Sequence, residues 1–154
     1  MYTAVMMETP TELPAVDGWF TMGRSPHLIG SRCASCAVTA FPPRRSCPNP
    51  ACVSDELEPV ELARTGVVWS YTDAQYQPPA PYVSPTDPYQ PFALAAVALD
   101  EVQIVVLGQM VDGCTVDDLY IGMPVELVVE PLLRTSDAIK MMWRWKPSKE
   151  VHNA

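Results

Sequence analysis

Four of the chain's five cysteines fall between residues 33 and 52, as C-x2-C, ten residues, then C-x4-C: Cys33, Cys36, Cys47 and Cys52. Two short-spaced pairs, each on a tight turn that aims both sulfurs the same way, can converge on one tetrahedral ion. A thioredoxin-type C-x-x-C needs a βαβ context and has no use for a second pair. A disulfide framework belongs to oxidising compartments. The amino terminus MYTAVMMETPTEL has no basic region followed by an apolar stretch, so neither a secretion signal nor that framework is expected. Zinc and iron both accept four thiolates in this pattern. Zinc is favoured, because the second pair is loosely spaced and Ala37 and Val53 stand where the knuckles of iron sites carry glycine. A closed tetrathiolate zinc has no open position and no redox chemistry, so the expected role is structural.

Such a clip leaves a local charge of about −2, from four thiolates around one divalent ion. No acidic residue occurs between Gly18 and Ser54, while Arg24, Arg32, Arg44 and Arg45 do. The rest of the chain reverses this balance. Net charge is −8, and from Thr65 to Leu133 there is no Lys or Arg at all; Arg134, Lys140, Arg144, Lys146 and Lys149 follow. A phosphate backbone needs clustered cations, so nucleic acid is not an expected partner. No run of eighteen apolar residues is present, so a membrane span is not expected either and a cytoplasmic location follows as the default.

The 154 residues suffice for a small module and one real core. Residues 1–27 read as a disordered lead, to about residue 13, followed by a short amphipathic helix carrying Trp19 and Phe20; 28–56 is the ribbon, 57–147 the second module and 148–154 a tail. PVELARTGVVWSYTDAQY gives strand-like stretches at 59–64 and 66–76, hinged at Gly66. Residues 77–91, QPPAPYVSPTDPYQP, carry six prolines and form a stiff loop. FALAAVALD and VQIVVLGQM follow as a hairpin whose apolar density predicts burial on both faces. VDGCTVDDLYIGMP holds one helical turn at most. PVELVVEPLL and AIKMMWRWKP are the last strands, the latter with Trp143 and Trp145 on one face. Five or six antiparallel strands, a long proline loop and a vestigial helix before the penultimate strand predict a closed OB-type barrel, making the chain mainly β.

A four-cysteine ribbon running straight into such a barrel resembles the acyl-CoA-associated zinc-ribbon/OB-fold family, formerly domain of unknown function thirty-five. The carriers of the resemblance are the cysteine ribbon with FPPRRSCP between its pairs, GVVWSYT, PFALAAVALDE, VDGCTVDDLYIGMPVELVVE and the closing MMWRWKP, over about residues 19–147. The C-x4-C pair departs from the family's usual pattern through Asn49, Pro50 and Ala51. The resemblance implies a rubredoxin-like zinc ribbon in an accessory subunit. Such a subunit sits against a thiolase-fold enzyme, helps hold the CoA part of an acyl-CoA, and serves carbon–carbon bond cleavage or formation of the thiolase or retro-aldol type, steroid side-chain aldolases among them.

The residues agree with a role that is not catalytic by itself. Beyond the four ligand cysteines the chain offers Cys114, His27 and His152. Cys114 lies among acids that oppose a thiolate, His27 reads as a turn or packing residue, and His152 sits near the chain end. The cofactors expected are Zn2+ and, as a shared ligand, a CoA thioester. Arg44 and Arg45, on the stiff turn FPPRRSC, are the candidates to meet CoA phosphates, with neutralisation of the thiolate site as the alternative. Trp69 is expected in the core, and Tyr82 and Tyr89 at a partner contact or in packing. Two rival functions remain: an iron electron carrier, which would be coloured, and an OB-type single-strand binder, which would need aromatics interleaved with basic residues.

Overall fold

The computed structural model describes residues 9–148. Its strands are β1 Thr11–Pro14, β2 Ile29–Cys33, β3 Thr39–Ala40, β4 Leu57–Glu61, β5 Thr65–Asp73, β6 Ala93–Leu99, β7 Val105–Met110, β8 Pro124–Arg134 and β9 Ala138–Pro147, with one 3-10 turn at Val116–Asp118. β2, β3 and β4 form a small antiparallel sheet, the body of the ribbon. β5, β6, β7, β9 and β8 pair in that order and β8 returns to β5, which closes a five-stranded barrel. The 3-10 turn between β7 and β8 occupies the place where the sequence predicts a vestigial helix.

Period-two patterning explains why these segments become barrel staves. Along β6, Ala93, Ala95, Val97 and Leu99 are buried, and the alternate residues are half-buried. Along β9, Trp143 and Trp145 enter the buried cluster, Trp145 with no exposed surface, while Ile139 and Met141 are buried on the stretch paired with β1. Large rings inside a narrow barrel require small residues opposite them. Gly108 on β7 supplies that space: a Cβ there would lie 2.7 Å from Trp145 Nε1 and 3.0 Å from Trp143 Nε1. Gly66, the expected hinge, is an inward-facing residue of β5, where a Cβ would run into the carbonyl oxygen of Ala98. Leu119 and Met123, following the 3-10 turn, join the same buried cluster.

Several expectations are corrected. The described part of the lead contains no helix: Thr11–Pro14 is a strand paired in parallel with Ala138–Met141 of β9, and residues 15–19 are bends and turns. Pro14 within the segment, Gly18 at φ +80° and the hydrogen bond from Ala15 N to Met141 O favour extended chain over a helical turn. The stretch expected at 59–64 as the start of the barrel is β4, Leu57–Glu61, and it pairs with β2 of the ribbon. The barrel is not wholly antiparallel, because β7 meets β9 in parallel at Gln109–Arg144 and Met110–Trp145; β8 intervenes in sequence and makes that crossover possible. β7 is buried on one face only, with Val105 and Leu107 exposed. Trp69 is 64% exposed and not core. The inward phase of β5 is set by Gly66 and Val68, so Trp69 falls on the outer face, at a bulge between Val68 and Ser70. Residues 1–8 and 149–154, with His152, lie outside the described residues. Among those described, no helix is long and apolar enough to cross a membrane.

The ribbon is joined to the barrel through aromatic packing. Trp143 of β9 has the rings of Trp19, Phe20 and Phe41 around it at centroid distances of 6.2, 5.7 and 5.7 Å. Phe41 belongs to the loop between the cysteine pairs, so the ribbon tip is anchored to a barrel strand. Leu28 and Leu62 extend the barrel's buried cluster toward the ribbon sheet. Arg64 adds a polar tie, donating from Nε to Pro26 O at 2.8 Å and from Nη2 to Leu127 O at 3.4 Å.

Candidate metal centre

Cys33 closes β2, and the chain then reverses in a turn held by Ala37 N to Cys33 O and Cys33 N to Val38 O, both 2.9 Å. Ala37 adopts φ +64°, the left-handed conformation that glycine usually supplies. The alanine costs about 1 kcal/mol there, and the knuckle keeps its shape. The second knuckle is longer, and Asn49 accounts for how it closes. The Asn49 carbonyl accepts from Cys52 N and its Oδ1 accepts from Ala51 N, each at 3.0 Å, while Cys47 N bonds Ser54 O. An Asx-type turn thus absorbs the extra residues of C-x4-C.

These turns bring the four sulfurs within 4.8 Å of one another. Across the two knuckles, Cys33 and Cys52 lie 3.9 Å apart and Cys36 and Cys47 3.5 Å apart. Sulfurs about 2.3 Å from a tetrahedral ion stand roughly 3.8 Å apart, whereas a disulfide requires about 2.05 Å. The donor set therefore fits one zinc held by four thiolates. Backbone amides favour the charged form at the first knuckle: the Cys36 N–H is the main cause lowering Cys33 to about 6, and the Val38 N–H lowers Cys36. Desolvation pushes the Cys47 thiol up, so that proton must be displaced when a metal binds. Bound there, zinc would act as a cross-link and supply no open coordination position.

Arg44 and Arg45 stand on the loop between the knuckles with exposed side chains. The loop is held by Arg44 N donating to the buried Ser31 Oγ at 2.9 Å. Neither guanidinium makes an ion pair or side-chain hydrogen bond among the described residues, and both are available to solvent or to a ligand.

The other candidates have settled surroundings. His27 lies with Nδ1 3.1 Å from Leu62 O and its backbone N–H on Thr21 Oγ1, the packing role expected of it. Cys114 lines a cavity of about 260 Å³ with Asp73, Thr115 and Asp117. Burial, and then Asp118, push its thiol up. Tyr89 packs against Tyr82 and Phe92 and donates to Ala74 O at 2.6 Å, so the proline loop uses it internally. Sequence reasoning missed Arg144, which is 4% exposed. Its guanidinium donates to Asp112 Oδ1 at 2.9 Å and to Pro131 O at 3.3 Å, with Glu130 at 3.8 Å. The only sequence signal is an arginine alternating with tryptophans, which reads as a solvent face.

Comparison with known proteins connects both modules to one family. Residues 20–58 match the model described as ChsH2, rubredoxin-like zinc ribbon domain, and residues 59–130 the model described as ChsH2, C-terminal OB-fold domain. A DUF35 domain-containing scaffold protein of Methanocaldococcus jannaschii is 33% identical over 124 residues, 78% of this chain and 81% of that one. A probable enoyl-CoA hydratase alpha subunit of Thermomonospora curvata is 36% identical over 109 residues, 71% of this chain and 31% of that protein. The benzoylsuccinyl-CoA thiolase subunit BbsA of Thauera aromatica is 41% identical over 51 residues, 33% of this chain and 34% of BbsA. The matches thus span about a third of these last two relatives. Among solved structures, a chain of the Ltp2-ChsH2(DUF35) aldolase superposes with a TM-score of 0.59 at 31% identity, covering 79% of this chain and 84% of that one.

Proposed function

The chain belongs to the ChsH2 family, which couples a rubredoxin-like zinc ribbon to an OB-fold, and from that membership we propose that it is a non-catalytic accessory subunit of an acyl-CoA enzyme. In this reading it docks on a thiolase-fold subunit and helps hold a CoA thioester during carbon–carbon bond cleavage or formation. The observation that carries the proposal is the likeness, over most of both chains, to a component of the Ltp2-ChsH2(DUF35) aldolase. The thiolase and hydratase subunits among its relatives point to the same class of substrate.

The local chemistry is consistent with this role. Acyl-thioester chemistry needs an activated nucleophile with a base in reach. Cys114 has acidic neighbours and a thiol pushed up by burial, and the ribbon sulfurs would be committed to a metal. Charge for the CoA phosphates would come from Arg44 and Arg45.

Affinity purification of the tagged chain from its native cell tests the assignment. A thiolase-fold acyl-CoA enzyme should co-purify in fixed stoichiometry, and its absence would overturn the proposal. Within that complex, the Arg44→Ala/Arg45→Ala double variant tests the CoA contact. Loss of a charged hydrogen bond to phosphate, about 1–3 kcal/mol, should raise the apparent KM for the acyl-CoA while zinc content and partner binding hold. An unchanged KM in a zinc-replete complex would remove both arginines from the CoA site.

A further inference from the structure

The outer wall of the barrel over β5, β6 and β7 is an apolar sheet face with nothing covering it among the described residues. Strand register lays it out in rows. Val67, Ala98 and Val105 stand side by side in one row, and Ala96 and Leu107 are paired in the next, with Trp69 beside them at the β5 bulge. Trp69 is 64%, Leu107 59% and Val105 48% exposed. Two depressions of about 100 and 220 Å³ flank Leu107 and share Leu94 and Leu107 as walls. A contiguous exposed apolar face with side-chain-sized hollows is unusual for a surface that meets only water.

The charge around this face selects its occupant. Asp73 ends β5 and the exposed Asp100 and Glu101 form the β6–β7 turn, whereas Glu126 of β8 stands against Lys146 of β9 and does not belong to this rim. β5, β6, β7 and the segments that join them carry no cation, and Arg144 of β9, which walls one of the depressions, is held by Asp112. A second copy of the chain would set this acidic rim against the same rim, and a CoA polyphosphate would be repelled by it. We infer that the β5–β7 face is the docking surface for the enzyme subunit, and that the partner presents an apolar patch with protruding side chains, rimmed by lysine and arginine. This rests on the accessory-subunit reading and adds the face and the chemistry of its complement. CoA-facing cations on the ribbon and the acidic docking face on the barrel then divide the two tasks between the two modules.

The test uses the enzyme subunit that co-purifies with the full chain, separated and recombined with zinc-loaded variants. Leu107→Asp and Trp69→Asp change exposed side chains, so zinc content and melting temperature should match wild type. Each should weaken Kd at least about tenfold, as at interface anchors. The Glu101→Lys variant should slow association, with the difference from wild type fading at high salt. Wild-type Kd in both Asp variants, or faster association after charge reversal, would overturn the inference while leaving the accessory role intact. Sedimentation showing a wild-type homodimer that Leu107→Asp abolishes would assign the face to a second copy and also overturn it. If no acyl-CoA enzyme subunit co-purifies, the accessory-subunit reading fails first and the inference with it.

Discussion

Asn49 shows how a single residue accommodates a departure from a motif. The lengthened C-x4-C pair is closed by its side chain and carbonyl, each accepting one amide, so the four sulfurs still converge. The ligand set was legible from spacing because a tight turn leaves few directions for a Cys side chain. The turn chemistry was not, since Ala37 in a left-handed conformation runs against its own preference and is held by its surroundings. Elemental analysis should find about one zinc per chain, and Cys36→Ser should lose both metal and solubility. Full-occupancy iron, or metal retained in the variant, would contradict the assignment. At Cys114 the sign of the shift gives a second expectation. A raised thiol pKa leaves less thiolate at neutral pH, so iodoacetamide should label Cys114 more slowly than a free thiol at pH 7.5 and catch up as pH rises. Labelling at neutral pH faster than that of a free thiol would show an activated cysteine instead.

Among the elements, β9 does the most joining: it pairs with β8, β7 and β1 and carries Trp143 into the Trp19, Phe20 and Phe41 cluster. Its strand character was legible because alternating apolar residues over ten positions have few other readings. Its partners were not. β1 is four residues long with no alternation to announce it, and Arg144 reads as solvent-facing until Asp112 and Glu130 are seen beside it. Trp69 was misplaced for a related reason, because size argues for burial while strand phase decides it. Trp143→Ala should cost about 3–5 kcal/mol in urea unfolding, the range for a large buried aromatic. It should also uncouple the modules, so that a chelator melts the ribbon without lowering the barrel's midpoint further. A loss below about 1 kcal/mol, a surface-like effect, would show that the aromatic cluster does not hold the modules together.

Across the whole molecule, charge is segregated along the chain. The ribbon segment from Gly18 to Ser54 has four arginines and no acid, and the barrel segment from Thr65 to Leu133 has no cation. That division was visible in the sequence; the fold keeps the four arginines on the ribbon but returns Lys140, Arg144 and Lys146 to the barrel on β9, and joins the modules through the aromatic cluster, Leu28, Leu62 and Arg64. In the proposed role the ribbon arginines would meet an anionic ligand and the β5–β7 face a cationic protein surface, with bond chemistry left to the partner. The direct test is acyl-CoA turnover by the co-purified enzyme subunit, by this chain, and by the two recombined. Recombination should restore activity that the enzyme subunit alone lacks, with no turnover by this chain at any concentration. Turnover by the isolated chain, or an enzyme subunit equally active without it, would contradict the account.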